Sequence, residues 1–145
     1  MHTRFTLRAA VYLLLLKGNE VLLQKRFHTG WMDGKYSLIA GHVDGNESVI
    51  QAMRREAREE ADIILSENDL LPATVLHRKG GEVECVDFFF VATSWDGEPK
   101  IMEKDKCDDL RWFPMDSLPE NVLPYIKEAI YNDSHHIAFS TSGWK

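Results

Sequence analysis

Cysteine is scarce in this chain. Cys85 and Cys107 are its only two and lack a C-x-x-C spacing, so neither a disulfide framework nor a thiolate metal centre is expected, and both are read as free thiols. Long apolar runs are missing too. The longest near the start, residues 13–16, is far too short to span a bilayer, and Met1-His2-Thr3-Arg4-Phe5 lacks the charged segment, apolar stretch and cleavage site of a leader. A cytoplasmic protein without membrane contact is expected. Positive charge is in deficit: 17 Lys and Arg stand against 23 Asp and Glu, a net −6. That balance argues against the whole surface binding nucleic acid, and a small anionic ligand would then need a bound cation. Repeats, low-complexity segments and linkers are absent.

What remains is 145 residues, 44% hydrophobic and 28% charged, the size and balance of a single domain over 1–145 with a real core. Residues 7–16 and 20–27, rich in Val, Leu and Tyr, flank the turn Lys17-Gly18-Asn19 and predict a hairpin. The two-glycine stretch 29–34 reads as a loop, 36–39 as a short strand ending at Ala40-Gly41, and 44–47 as a second loop. Ser48 is a good N-cap with Gln51 at the capping-box spacing, so a helix is predicted to Ala61, with Ile50, Met53, Ala57 and Ala61 as its core stripe. Residues 74–78 and 83–94 predict a second hairpin, nearly fully buried at 88–91, and 110–113 another short strand. A second helix is expected over 121–131, with Pro124 in its first turn; the tail 133–145 carries no signal. Hairpins with two separated helices point to an α+β or α/β fold, a mixed sheet covered by helices.

Glu56, Glu59 and Glu60 stand at i, i+3 and i+4 and project from one face of the first helix. Three like charges repel, and Arg55 relieves only part of this. A divalent cation would neutralise the cluster, and oxygen ligands favour Mg²⁺ or Mn²⁺ over zinc. Taken alone, E-x-x-E-E reads better as a solvated face. Its surroundings change that reading. Gly41, Glu47, Arg55, Glu56, Glu59 and Glu60 follow the order G-x5-E-x7-R-E-x-x-E-E, a coincidence expected on the order of once in ten million windows.

That order resembles the signature of the Nudix hydrolases, G-x5-E-x7-R-E-U-x-E-E-x-G-U, in which U is a bulky aliphatic. Asp62 replaces the late glycine, Ala57 is small for U, and Leu38-Ile39-Ala40-Gly41 lacks the proline and first glycine of the common L-P-G-G entry. Aspartate tolerates a left-handed cap, so an intact metal face is expected. The resemblance implies an α/β/α sandwich with a mixed sheet and a Mg²⁺-dependent attack of water on a nucleotide pyrophosphate, Mn²⁺ substituting. It implies Glu59 and Glu60 as the strongest ligands, Glu56 as ligand or general base, Arg55 as the group that orients them, and the Ala40 carbonyl as a further ligand. Glu47 would support Arg55. Glu103, after the Gly97-Glu98-Pro99 turn, stands where MutT-like members place another metal-binding glutamate; a surface acid is the alternative, and Glu84 is a weaker candidate.

For the substrate, Asn121 resembles the position from which related enzymes read a base, with a helix cap as the plainer role. Phe27, Trp31 and Tyr36 are candidates for base stacking, though core or rim packing explains them as well. His28 and His42, near the site, are candidates to touch phosphate or metal, with a structural side chain an equal reading of either, and Gly41 is a further substrate-binding candidate. A nucleoside triphosphate cleaved to monophosphate and pyrophosphate is the preferred expectation. ADP-ribose or sugar-nucleotide cleavage is the alternative within hydrolases, and a silent nucleotide-binding module the alternative outside them. Partners are confined to a small nucleotide, nucleic acid not being expected, and the chain to a monomer or homodimer.

Overall fold

The computed structural model describes residues 3–144; Met1, His2 and Lys145, the extremes of the opening and tail read above, lie outside the described residues. β1 (Arg8–Lys17) and β2 (Glu20–Arg26) form the expected hairpin, Leu16 opposite Val21. The strand expected over 36–39 is two short strands, β3 (Tyr36–Ser37) and β4 (Ile39–His42). They part at Leu38 because β3 pairs with β2 whereas β4 crosses to pair with β1. α1 (Val49–Ala61) begins at Ser48 with both capping-box bonds made and ends at Asp62, whose φ of 55° and ψ of 38° are left-handed.

β5 (Leu71–Gly80) and β6 (Val83–Ala92) form the second hairpin. Phe89 and Phe90 of β6 are buried, but Phe88 and Val91 are only half-buried. β7 (Cys107–Pro114) extends the predicted 110–113 strand and pairs along β2. α2 (Pro124–Ser134) starts three residues later than expected because Pro124 takes its first position. The tail, which gave no signal, forms β8 (Phe139–Ser142), parallel to β5.

The main sheet is mixed: β1 runs parallel to β6 and antiparallel to β4, while β5 is antiparallel to β6 and parallel to β8. β1 explains why both faces are covered. Its alternate residues Ala10, Tyr12 and Leu14 pack with Ile126 and Ala129 of α2, and Val11, Leu13 and Leu15 pack with Met53, Ala57 and Ala61 of α1. An unbroken apolar strand of this kind is stable only with helices on both sides. Of the predicted α1 stripe, Met53, Ala57 and Ala61 are fully buried, Ala52 joins them, and Ile50 stays at the margin. The result is an α/β/α sandwich. Among the described residues no helix is long and apolar enough to cross a membrane.

Candidate active site

Arg55 organises the carboxylates of α1. Its Nε and Nη2 donate to the two oxygens of Glu47 at 3.0 and 2.8 Å, Nη1 donates to Glu56 at 2.7 Å, and Nη2 also reaches the His42 carbonyl at 3.1 Å. The planar guanidinium fork permits this, holding the 44–47 loop, β4 and α1 in one register. The Arg55 bonds, with the Asp44 amide, hold the Glu47 carboxyl down at about 2. Glu59 is drawn to Arg55 as well, but weakly, at 3.4 Å and with 57% of its side chain exposed.

Glu60 has no cation within salt-bridge distance among the described residues. Its Oε1 accepts from Gln24 Nε2 at 3.0 Å and from the Ala40 amide at 3.2 Å. Burial, then the neighbouring charge of Glu56 and of Glu103, pushes its carboxyl up to about 8. Burial likewise raises Glu56, against the pull of Arg55. Two half-buried carboxylates in contact, one without a positive partner among the described residues, form an oxygen donor set that a hard divalent cation would relieve. Among the described residues no three His, Cys, Asp or Glu side chains converge into a finished cage.

Glu103 comes to this site through backbone bonds. The last-turn carbonyls of α1 accept from the following loop, Ala61 from Lys100 N at 3.1 Å and Glu60 from Met102 N at 3.4 Å. Ile64 and Asp96 exchange paired bonds of 2.9 Å that dock the same loop. Glu103 then lines, with Glu60, Gln24, His28 and Lys106, a cavity of about 470 Å³.

A larger cavity of about 920 Å³ opens on the α2 side of the sheet, floored by Ala10, Tyr12 and Tyr125 and edged by Trp31. Arg26 and His42 belong to both cavities, so the two join round the free edge of β4. Of the residues expected to meet a substrate, Gly41, His42 and Trp31 line the larger cavity, as does Ala40. Trp31 stacks under Arg26, 4.9 Å from ring centre to guanidinium. Phe27 instead stacks on His28 at 3.8 Å. Asn121 donates its amide to the Gly34 carbonyl at 2.8 Å and so ties the 28–34 loop to the approach to α2; Leu123, not Asn121, is the helix cap. Tyr36 cannot stack on a base: its ring is buried and its hydroxyl bonds to Asp109.

Three participants carried too little signal to be read from the sequence. Gln24 sits among the basic residues of β2. Asp87, fully buried in β6, pairs with Arg78 of β5 at 2.6 Å. An acid inside an apolar strand, with a basic residue on the neighbouring strand, was the available clue.

The NUDIX domain model matches residues 6–132. Among curated proteins, an NAD-capped RNA hydrolase NudC from Pseudomonas aeruginosa is 31% identical over 126 residues, 82% of this chain and 40% of that one. An oxidized purine nucleoside triphosphate hydrolase from Danio rerio is 30% identical over 146 residues, 85% of this chain and 88% of that one. The chain thus spans about two fifths of the NudC relatives but most of the zebrafish protein. The crystal structure of a MutT NUDIX hydrolase from Burkholderia pseudomallei aligns with a TM-score of 0.81 and 26% identity, covering 88% of this chain and 98% of that one. With that match, and with Gly41, Glu47, Arg55, Glu56 and Glu60 gathered as one site, the chain belongs to the Nudix hydrolase family.

Proposed function

We propose that this chain, as a single Nudix unit in the cytoplasm, is a divalent-cation-dependent pyrophosphohydrolase that cleaves a nucleoside triphosphate to monophosphate and pyrophosphate. The observation that carries this reading is Glu60, a half-buried carboxyl that accepts from Gln24 and the Ala40 amide beside Glu56 and Glu103, with no cation within salt-bridge distance among the described residues. Glu56, Glu60 and Glu103 would hold Mg²⁺ or Mn²⁺, with the Ala40 carbonyl a further ligand and Glu59 able to join when it leaves its long contact to Arg55. A bound ion there supplies charge withdrawal from phosphate oxygens and a more acidic water.

The chain's own residues do the rest. Gln24 and the Ala40 amide both donate to Oε1 of Glu60 and so orient its free oxygen. Arg55 pins Glu56, which would hold the cation or take the attacking water's proton. Lys25, Arg26 and Lys106 line the smaller cavity and suit an anionic triphosphate. The nucleoside then fits the larger cavity beyond Arg26 and His42. The triphosphate reading draws support from the zebrafish relative, which matches along most of its length.

A dinucleotide or sugar-nucleotide substrate is the second reading, favoured by the size of the larger cavity, about 920 Å³, which leaves room beyond one nucleoside. The test is release of pyrophosphate and phosphate from canonical and oxidised nucleoside triphosphates, ADP-ribose, sugar nucleotides and dinucleoside polyphosphates, with Mg²⁺, Mn²⁺ or chelator. Cation-dependent pyrophosphate release from a triphosphate is expected. Cleavage confined to ADP-ribose or a sugar nucleotide would replace it with the second reading, and nucleotide binding without turnover would make the chain a binding module.

A further inference from the structure

Arg78 is a half-buried basic side chain in the wall of the larger cavity, 14% of it exposed, and its donors are only partly spent. Nε donates to Asp87 Oδ2 at 2.6 Å, while Nη2 reaches Asp87 Oδ1 at 3.5 Å and the Tyr12 hydroxyl at 3.4 Å. The guanidinium lies 4.1 Å from the centre of the Tyr125 ring, which fixes its plane. Nη1 has no hydrogen-bond partner among the described residues. The residue beside it is Gly80, where even an added Cβ would come to 3.4 Å of Nη1, so the missing side chain leaves the approach open.

Asp87 is fully buried and cancels the charge of Arg78. The pair therefore offers the cavity fixed N–H donors with little net charge, which suits a neutral acceptor better than a second phosphate. The placement suits a base. His42, Ala10 and Asp87 stand side by side across β4, β1 and β6. Arg78 itself is on β5, one strand further, but its guanidinium reaches back to Asp87 and so lies about two strand spacings, roughly 10 Å, from the β4 edge where the two cavities join. A nucleoside lying along Tyr12 and Tyr125 bridges that span.

We propose that Arg78 reads the edge of the substrate's base and selects a carbonyl acceptor there, so that a 6-oxopurine nucleotide is preferred over a 6-aminopurine one. Arginine has donors only, and its flat fork matches the O6 and N7 acceptors of a 6-oxopurine. An exocyclic amino group would set donor against donor and leave both unpaired. The inference rests on the nucleotide reading above and extends it from the phosphates to the base.

The experiment measures binding of IMP and AMP by calorimetry, and kcat/KM for ITP and ATP, on the same protein. IMP is expected to bind about tenfold or more tightly than AMP, with ITP favoured over ATP by a similar factor. Arg78→Lys keeps a positive partner for Asp87 but loses the fork, and is expected to bring both ratios toward one by weakening the oxopurine ligand alone. The paired exchange Arg78→Met with Asp87→Leu leaves no buried unpaired charge and is expected to give the same collapse, should the lysine variant fold poorly. A general loss of stability would lower both ligands together and leave the ratio in place. Equal or tighter AMP binding, no binding of either monophosphate, or an unchanged ratio in a folded variant overturns the role of Arg78. An IMP preference without cleavage of any triphosphate would instead overturn the proposed reaction and leave the base reading standing.

Discussion

The carboxylate of Glu56 occupies the space that a side chain at Gly41 would fill. A Cβ on Gly41 would lie 2.1 Å from Glu56 Cδ and 2.3 and 2.6 Å from its oxygens. The signature glycine is therefore required by close approach between β4 and α1, not by a left-handed backbone. Because the obstructing atoms are the end of a flexible side chain, Gly41→Ala is expected to fold with a melting midpoint close to wild type. Glu56 would be pushed off Arg55, and kcat/KM should fall about tenfold to a hundredfold, the usual scale for a disturbed ligand orientation. Hydrolysis rates and thermal melts on the same preparations check this, and an unchanged rate would mean that Glu56 is not needed where it now sits.

Glu60 is held at a cost to the fold. A carboxyl raised from 4.5 to about 8 keeps its proton better in the folded chain than in the unfolded one. Stability is therefore complete below about pH 4.5 and declines as pH climbs toward 8. Glu60→Gln removes that burden, so in chelator its melting midpoint should exceed wild type at pH 8 and match it near pH 4.5. Mg²⁺ should raise the wild-type midpoint at pH 8 more than that of the variant, and turnover should drop by orders of magnitude. Midpoints that run parallel from pH 4.5 to 8 would refute the burial of an ionising group here.

The sequence revealed features whose causes are local. Ser48 and Gln51 specify their helix start three residues apart, and the i, i+3, i+4 spacing puts three glutamates on one face of α1 whatever the rest of the chain does. Features set by distant partners stayed hidden. Arg78 and Asp87 are nine residues apart on two strands, and only the hairpin register joins them. Gln24 meets Glu60 across 36 positions. β8 is a strand because β5 has a free edge for it, while Phe139-Ser140-Thr141-Ser142 is too polar to announce itself. Asn121 is open to a base or a helix cap from the sequence; the structure makes Leu123 the cap and ties the Asn121 amide to Gly34.

Asp62 tests how much a departure from the signature costs. Its φ of 55° is the left-handed cap that glycine adopts freely, and its exposed carboxylate meets Lys100 at 3.2 Å. Leaving that region is worth about 1 kcal/mol or more to an L-residue, whereas an exposed ion pair is worth about 0–1 kcal/mol. Asp62→Gly should therefore stabilise slightly, by about 0.5 kcal/mol on this balance, with kcat/KM unchanged. Chemical denaturation reads the difference. A loss of stability would mean that the Lys100 contact does more to dock the Glu103 loop than its exposure suggests.

Trp144 separates the tail's structural role from the substrate wall. Its indole N–H donates to the His77 carbonyl at 3.0 Å and its ring lies 4.8 Å from that of His77, clasping the outer edge of β5 after β8 has paired there. Alternation along β5 turns the side chain of His77 to the face opposite Arg78. Trp144→Ala loses one hydrogen bond and part of an exposed ring, a cost of about 1–2 kcal/mol. It should lower the melting midpoint by a few degrees and open the tail to protease. The ITP to ATP ratio and kcat/KM should stay within about twofold of wild type, since no contact of Arg78 or Glu60 is touched. A change in that ratio would show that β8 helps set the position of Arg78, which it pairs beside on β5.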